Sequence, residues 1–267
     1  MAVKDVVGEF FTTARMLEDV GDFTSAIALY REYLAADPDD YCGAVMRLAA
    51  YGLAKPSATP VAYTATLFDQ HAEDFDHILV ERLAYDVPAL MRRLAEPHLG
   101  GPRRLLDLGC GTGLVGANFN DVASESIGVD VAEKMLEMAD ARRVYDDLYV
   151  GEAVRFMAEW DEAPFGLIIA ADVWPYIGDL GAFATAAAAC LTPGGLLMAS
   201  SERAEPDEVG PEGWGVTGTQ RFMQTTAYVR ATLEAAGFEI VDVADIIVRI
   251  EDGDPVPGDI VLARLPG

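Results

Sequence analysis

The stretch Leu105–Gly113, reading LLDLGCGTG, carries the strongest chemical signal in the chain. An apolar strand runs into closely spaced glycines and then a helix, and a loop without Cβ atoms lets a ligand approach the main chain. In open α/β sheets, ligands bind outside the carboxyl ends of the strands, where this loop should lie. Two ligands suit it. Gly111–Gly116 spells G-x-G-x-x-G, and Asp130, ending the next strand, is suitably spaced to hold a ribose hydroxyl of a dinucleotide. Asp107 separates the two readings. A carboxylate so close before Gly109 repels a pyrophosphate and suits a cationic ligand with an amino group, or the loop's own amides. A dinucleotide site also normally opens its domain, whereas this strand starts near Arg103. One mononucleotide-type half is evident, so the favoured ligand is cationic and carries a single adenosine.

Other side chains offer chemistry outside that loop. Asp172 follows a strand candidate, and strand-end loops carry the chemistry in this type of sheet. His71 is a candidate general base, although a lone helical histidine is more often a surface residue. His77 and His98 read as helix-surface and helix-end residues. Arg221 has the forked geometry to hold a substrate carboxylate, with a surface ion pair as the alternative. Trp174 and Tyr176 suit either a pocket wall or plain packing. No His/Cys/carboxylate set has metal-ligand spacing, so no metal is expected.

These groups must be held by recognisable elements. Helical patterns cover Val3–Val20, a second segment from the N-cap Asp22 to Asp37-Pro38, and a third over Tyr41–Leu53. Gly21, Ala26, Tyr30 and Pro38 resemble the second half of one tetratricopeptide repeat, and a single such unit must pack on something else. KPSATP, Lys55–Pro60, is a linker, followed by helices over Tyr63–Asp76 and from Val80 towards Pro97. From Arg103 onward, short apolar strands alternate with helices: RRLLDLG, SIGVD, DLYVG, FGLIIAAD and GGLLMASS are the strands. The helices between them are predicted at Gly113–Ala123, Ala132–Arg143, Glu152–Glu159 and Leu180–Leu191. This pattern means a mainly parallel sheet covered by helices on both faces. A loop, Ser201–Thr219, and a helix, Ala227–Gly237, precede two last strands joined through EDGDPVP as an antiparallel pair.

Composition excludes more than it names. The formal charge is −25, and the lysines are Lys4, Lys55 and Lys134, too few to neutralise phosphates. Nucleic acid and anionic membranes are therefore not expected partners, and the acidic surface suits solubility, with recruitment of a basic partner as the alternative. No apolar run approaches the roughly 18 residues of a membrane span, and MAVKDVVGEF lacks a signal peptide's apolar stretch. Cys42, Cys110 and Cys190 suit reduced thiols in a cytoplasm.

Asp107–Gly113 resembles the first motif of class I S-adenosylmethionine-dependent methyltransferases, and Asp130 their acidic residue ending the second strand. Glu152 in VGEA, the stretch LTPGGLLMAS and AAGF before the final strands are also similar to that family. The repeat-like start, LFDQHAEDFD, LIIAADVWPYIGDL and EDGDPVPGDIVLARL together resemble bacterial predicted methyltransferases that contain a tetratricopeptide repeat. The resemblance implies a seven-stranded Rossmann-like α/β domain over residues 56–267, with lid helices at 61–97 and a core at 103–267, behind an all-α TPR-like segment at 1–55. It implies S-adenosylmethionine as cofactor and S-adenosylhomocysteine as product. Gly109, Cys110 and Gly111 would supply backbone to the methionine and ribose, and Asp107 the amino-group contact. Asp130 would bind both ribose hydroxyls, Val131 and Met135 the adenine face, and Glu152 and Ala153 its edge. Asp172 would stand near the sulfonium, and a lid helix would bring Tyr63 and Phe75 over the cofactor. The expected reaction is methylation of a small polar molecule at oxygen or nitrogen. The alternatives are a non-catalytic S-adenosylmethionine-binding module, its N-terminal helices serving self-association or a protein partner, and an NAD(P)-dependent oxidoreductase.

Overall fold

Leu105, Leu167 and Ile169 point to one side of a sheet, and their neighbours Leu106 and Ile168 to the other. Both sets are buried, as the two-residue strand period requires when helices cover both faces. A computed structural model describes residues 3–267, with side-chain surroundings from Gly8 onward.

Three helices come first: α1 (Val3–Asp19), α2 (Phe23–Ala36) and α3 (Ala44–Ala50). Asp22 caps α2, its carboxylate accepting from the Ser25 amide. Ala14 and Ala26 let α1 and α2 approach, and Tyr30 and Tyr33 fill the space beside α3, forming a small core of their own. Next come α4 (Val61–His71) and α5 (Val87–Ala95). The single helix expected from Val80 towards Pro97 is not formed. A π-helical turn over His77–Arg82 precedes a break in which Ala84 takes a left-handed φ of 54°. Pro88 sits in the first turn of α5, where its missing N–H costs nothing, so the helix restarts there.

The sheet then builds in alternation. The strands are β1 (Arg103–Leu108), β2 (Ala123–Asp130), β3 (Asp147–Val150), β4 (Phe165–Ala170) and β5 (Leu191–Glu202). Between them run α6 (Leu114–Phe119), α7 (Glu133–Arg142), α8 (Ala153–Glu159) and α9 (Gly181–Cys190). The segment expected to be a loop up to Thr219 instead starts a short hairpin, β6 (Trp214–Val216) with β7 (Phe222–Gln224). Trp214 and Phe222 close over Gly178, where a Cβ would meet both rings at about 2.5 Å. After α10 (Thr226–Ala235) come β8 (Glu239–Glu251) and β9 (Asp254–Arg264). EDGDPVP is a turn only at Asp252-Gly253, both at positive φ, and strand beyond it. Pro255 and Pro257 are tolerated in β9 because β5 pairs with it only from Gly258 onward.

The seven-stranded order is β3-β2-β1-β4-β5-β9-β8, parallel except for β9, which is antiparallel to both of its neighbours. Chain order reverses between β1 and β4, and the carboxyl ends of those strands open into a crevice. No helix among the described residues is long and apolar enough to cross a membrane.

Candidate active site

That crevice is a cavity of about 430 Å³, within the range of small-molecule sites. Its floor is the loop after β1. Gly109 has φ 63°, and a Cβ there would stand 2.6 Å from Val173 Cγ2, so only glycine lets the β1 and β4 loops meet. The Cys110 amide donates to the Val129 carbonyl at 3.0 Å. Asp130, 7% exposed, closes the loop from the end of β2. Its Oδ2 accepts from the Gly111 amide at 2.8 Å and its Oδ1 from the Ala132 amide at 2.9 Å. Burial pushes the Asp130 carboxyl up, and these amides pull the other way. Each oxygen keeps a lone pair for a ligand.

The end of β3 supplies Gly151 and Glu152. Glu152 is the N-cap of α8: its two oxygens accept from the Val154 and Arg155 amides at 2.9 and 2.8 Å. Past β4, Asp172 has a left-handed φ of 59°, fixed by its amide donating to Ser200 Oγ at 2.8 Å. Non-glycine residues held this way cluster at functional sites. Both Asp172 oxygens accept from Arg221 Nη2, at 3.1 and 3.0 Å. Arg221 also donates through Nη1 to the Tyr176 hydroxyl at 2.7 Å and through Nε to Glu202. Glu202 in turn accepts from Arg249 Nη1 at 2.7 Å. Burial raises the Asp172 carboxyl and the Arg221 charge opposes it.

Phe68 and Phe75, edge-on at 5.8 Å, roof the cavity from α4 and the turn after it. Three contacts tie that roof down. The Lys134 amide, at the start of α7, donates to Asp69, and Thr112 and Arg142 both bind Asp76. On the far side the linker is a strap. Ala58 pairs with Ile177 as a β-bridge, the Thr59 amide donates to the Tyr176 carbonyl, and Ser57, Ala58 and Thr59 line the cavity.

Of the residues singled out from the sequence, Phe75, Gly109, Cys110, Gly111, Asp130, Val131, Glu152, Ala153 and Asp172 line this one cavity. Six others lie elsewhere. Tyr63 stacks on α3 instead, its ring where a Gly43 Cβ would be, so it anchors the roof to the N-terminal helices. Met135 is fully buried beneath the roof with Ala72 and Ala132. Asp107 lies behind the loop, accepting from the Tyr145 hydroxyl, and burial pushes its carboxyl up to about 8. His71 is exposed at the end of α4. Arg221 lies behind Asp172 and Tyr176, outside the cavity lining, with each of its three nitrogens donating to one of its neighbours. Trp174 is buried and edge-on to Phe183, as part of the core.

The sequence reading missed the strap, Tyr85, Glu202 and Arg249. Pro88 was the available clue for Tyr85, since a proline favours a helix's first turn and places a break before it. The strap and the two charges have no local signal. No group of metal-ligating side chains is assembled among the described residues.

The profile of a family described as "Methyltransferase domain" matches residues 76–243. The ubiquinone biosynthesis O-methyltransferase of Maricaulis maris (strain MCS10) is 29% identical over 151 residues, 51% of this chain and 59% of that protein. The enzyme of the same name from Azorhizobium caulinodans is 29% identical over 170 residues, 58% of this chain and 64% of that one. The chain thus spans less than two thirds of these curated relatives. Among solved structures, the Burkholderia thailandensis 1,6-didemethyltoxoflavin-N1-methyltransferase, bound to 1,6-didemethyltoxoflavin and S-adenosylhomocysteine, is similar. It has a TM-score of 0.59 at 21% identity, over 80% of this chain and 93% of that one. This likeness is one of fold.

Proposed function

This chain belongs to the methyltransferase-domain family, and on that premise we propose that it transfers a methyl group from S-adenosylmethionine to a small polar acceptor at oxygen or nitrogen. Residues 56–267 form the catalytic domain in this reading, and 1–55 a helical TPR-like appendage that steadies the roof through Tyr63 against Gly43.

The observation that carries the proposal is Asp130. Its carboxylate spends one lone pair per oxygen, on the Gly111 amide of the glycine loop and on the Ala132 amide just after β2, and keeps the others for a vicinal pair of ribose hydroxyls. The surrounding residues fit the rest of the molecule. Val131 and Ala153 offer an apolar slot for adenine beside Glu152, and Gly109, Cys110 and Gly111 offer bare backbone for the amino-acid end. When bound, S-adenosylmethionine supplies a methyl carbon on a sulfonium, and attack by an acceptor lone pair forms the new bond as the carbon–sulfur pair passes to sulfur. The protein's work is then to orient the acceptor and exclude water, by means of Phe68, Phe75 and the Ser57–Thr59 strap. Asp172 is the lining carboxylate best placed to hold the acceptor's proton, and Arg221 keeps it oriented.

The oxidoreductase alternative loses on charge. The cavity lining contains Asp130, Glu152, Asp172 and Asp179 and, among the described residues, no Lys, Arg or His to meet a pyrophosphate. Thermal unfolding with S-adenosylhomocysteine, S-adenosylmethionine and NADH in separate wells tests the assignment. A ligand at about a hundred times its Kd stabilises by about 2.7 kcal/mol, or several degrees. The first two should shift Tm and NADH should not; a shift with NADH alone refutes the assignment.

A further inference from the structure

The acceptor must lie on the part of the cavity wall that the donor leaves open, and the chemistry there is one-sided. Asp130 and Glu152 belong to the glycine-loop side, where they hold backbone amides. On the other side stand Asp172, Tyr85 and Tyr176, with Leu79 and Pro88 as apolar neighbours. Tyr85 arrives there through the helix break. Ala84 turns the chain, the Tyr85 amide donates to the Leu79 carbonyl, and the ring is carried inward to 6% exposure. Tyr85 lines the cavity, and burial and nearby charges act on its phenol with no hydrogen bond among them. Burial, with the negative charges of Asp172 and Asp107, holds the phenol well above its ordinary range, so it remains a neutral donor and acceptor.

The nearest cations are already matched. Arg221 is held by Asp172 and Glu202 and stacks against Tyr176 with its guanidinium carbon 4.9 Å from the ring centre. Arg249 is held by Glu202 and Glu251. Asp172, Arg221, Glu202 and Arg249 therefore sum to zero, and no unmatched positive charge faces the chamber. An acceptor carrying a carboxylate or phosphate would shed its hydration beside Asp172 with nothing to replace it.

We propose that the methyl acceptor is a neutral or cationic molecule: an apolar body whose hydroxyl or amine donates to Asp172 and accepts from the Tyr85 hydroxyl. Free carboxylates and phosphates are shut out. The proposal rests on the methyltransferase reading, and it goes further by fixing the acceptor's charge. In the transfer, the acceptor's oxygen or nitrogen lone pair forms the bond to the methyl carbon. The carbon–sulfur bond breaks with its pair going to sulfur, and the proton left on the acceptor passes to Asp172 or to solvent.

The test is to incubate the full chain with S-adenosylmethionine labelled on the methyl group and a small-molecule cell extract, then separate labelled products at pH 7 on anion and cation exchangers. Like charges in contact inside a partly desolvated site should disfavour anionic acceptors by about a hundredfold or more. Label is therefore expected in the unretained and cation-exchange fractions, in a form stable to mild base. Label held mainly by the anion exchanger overturns the proposal. So does label released as methanol by mild base, because that marks a carboxylate acceptor converted to its methyl ester. Calorimetry with S-adenosylhomocysteine, run beside it, reads the cofactor assignment alone. Tight binding together with an anionic product sinks the acceptor class and leaves the methyltransferase assignment standing. Absence of binding sinks the assignment itself.

Discussion

Replacing Asp130 by Ala examines the cofactor site at its most exacting point. In the wild-type chain each carboxylate oxygen is engaged by one backbone amide, at 2.8 Å from Gly111 and 2.9 Å from Ala132. That leaves about one lone pair on each oxygen for a ribose hydroxyl. Hydrogen bonds to a charged acceptor contribute about 1.5–3 kcal/mol each, so losing two should cost about 3–6 kcal/mol of binding. The dissociation constant of S-adenosylhomocysteine should then rise by at least about a hundredfold. The Gly111 and Ala132 amides lose their acceptor as well, so the free protein should also lose stability, by about 1–3 kcal/mol for each amide left unpaired. Asp130→Asn, which keeps the volume and one carbonyl oxygen, should fall between the wild type and Asp130→Ala in both respects. Calorimetric titration gives the affinity, and urea unfolding shows whether each variant is folded. A folded Asp130→Ala protein that binds within about threefold of wild type would refute the placement of the ribose, whatever happens to activity.

Three further outcomes follow from the geometry. Arg221→Met takes the guanidinium from half-buried Asp172 and buried Glu202, so urea unfolding at pH 7 should show a loss of about 3 kcal/mol, shrinking in acid as the carboxyls protonate. A loss that did not vary with pH would mean the ion pair is not its source. Burial pushes the Asp107 carboxyl from 3.8 up to about 8, and between those values the folded protein keeps a proton that the unfolded chain has released. Its stabilising effect is therefore complete below pH 3.8 and is lost as pH rises towards 8, by about 1.4 kcal/mol per unit at most. Asp107→Asn, uncharged throughout, should gain on wild type steadily over that window in urea unfolding at matched pH, and a constant difference would contradict the shift. Gly43→Ala puts a Cβ 2.8 Å from the Tyr63 ring at φ +73°. Stability should fall by about 2–4 kcal/mol, and because Tyr63 seats the roof, S-adenosylhomocysteine affinity should fall too; unchanged affinity would uncouple the N-terminal helices from the cavity.

Much of the scaffold was legible because it is written locally. LLDLGCGTG combines a buried strand with closely spaced glycines, and Asp130 ends the next apolar run. The near-continuous apolar runs of β1, β4 and β5 report sheet faces that both carry helices. Legibility failed where short-range pattern competes with geometry. Periodicity alone continues a helix through Ala84, but a left-handed residue and the following proline break it. The β6–β7 hairpin has three-residue strands, too brief for any period to show, and is held by packing on Gly178. Tyr63 has the aromatic character expected of a cofactor lid, yet the absent side chain of Gly43 decides where its ring goes.

Arg221 shows why the chemistry of the site was harder to read than its backbone. From sequence, a guanidinium in a strand-end region of an α/β sheet suits an anionic substrate. What it does is set by Asp172 and Glu202, which lie 49 and 19 residues away along the chain and converge on it only through the sheet order. The same convergence decides whether the chamber carries a free positive charge. Had β5 ended in an uncharged residue in place of Glu202, Arg221 would lose its Nε partner behind Asp172 and Tyr176. Composition, at −25 overall, cannot distinguish these cases because surface carboxylates dominate the sum. The balance of charge beside the chamber is therefore a property of three strand ends meeting, and Glu202 joins both arginines in it.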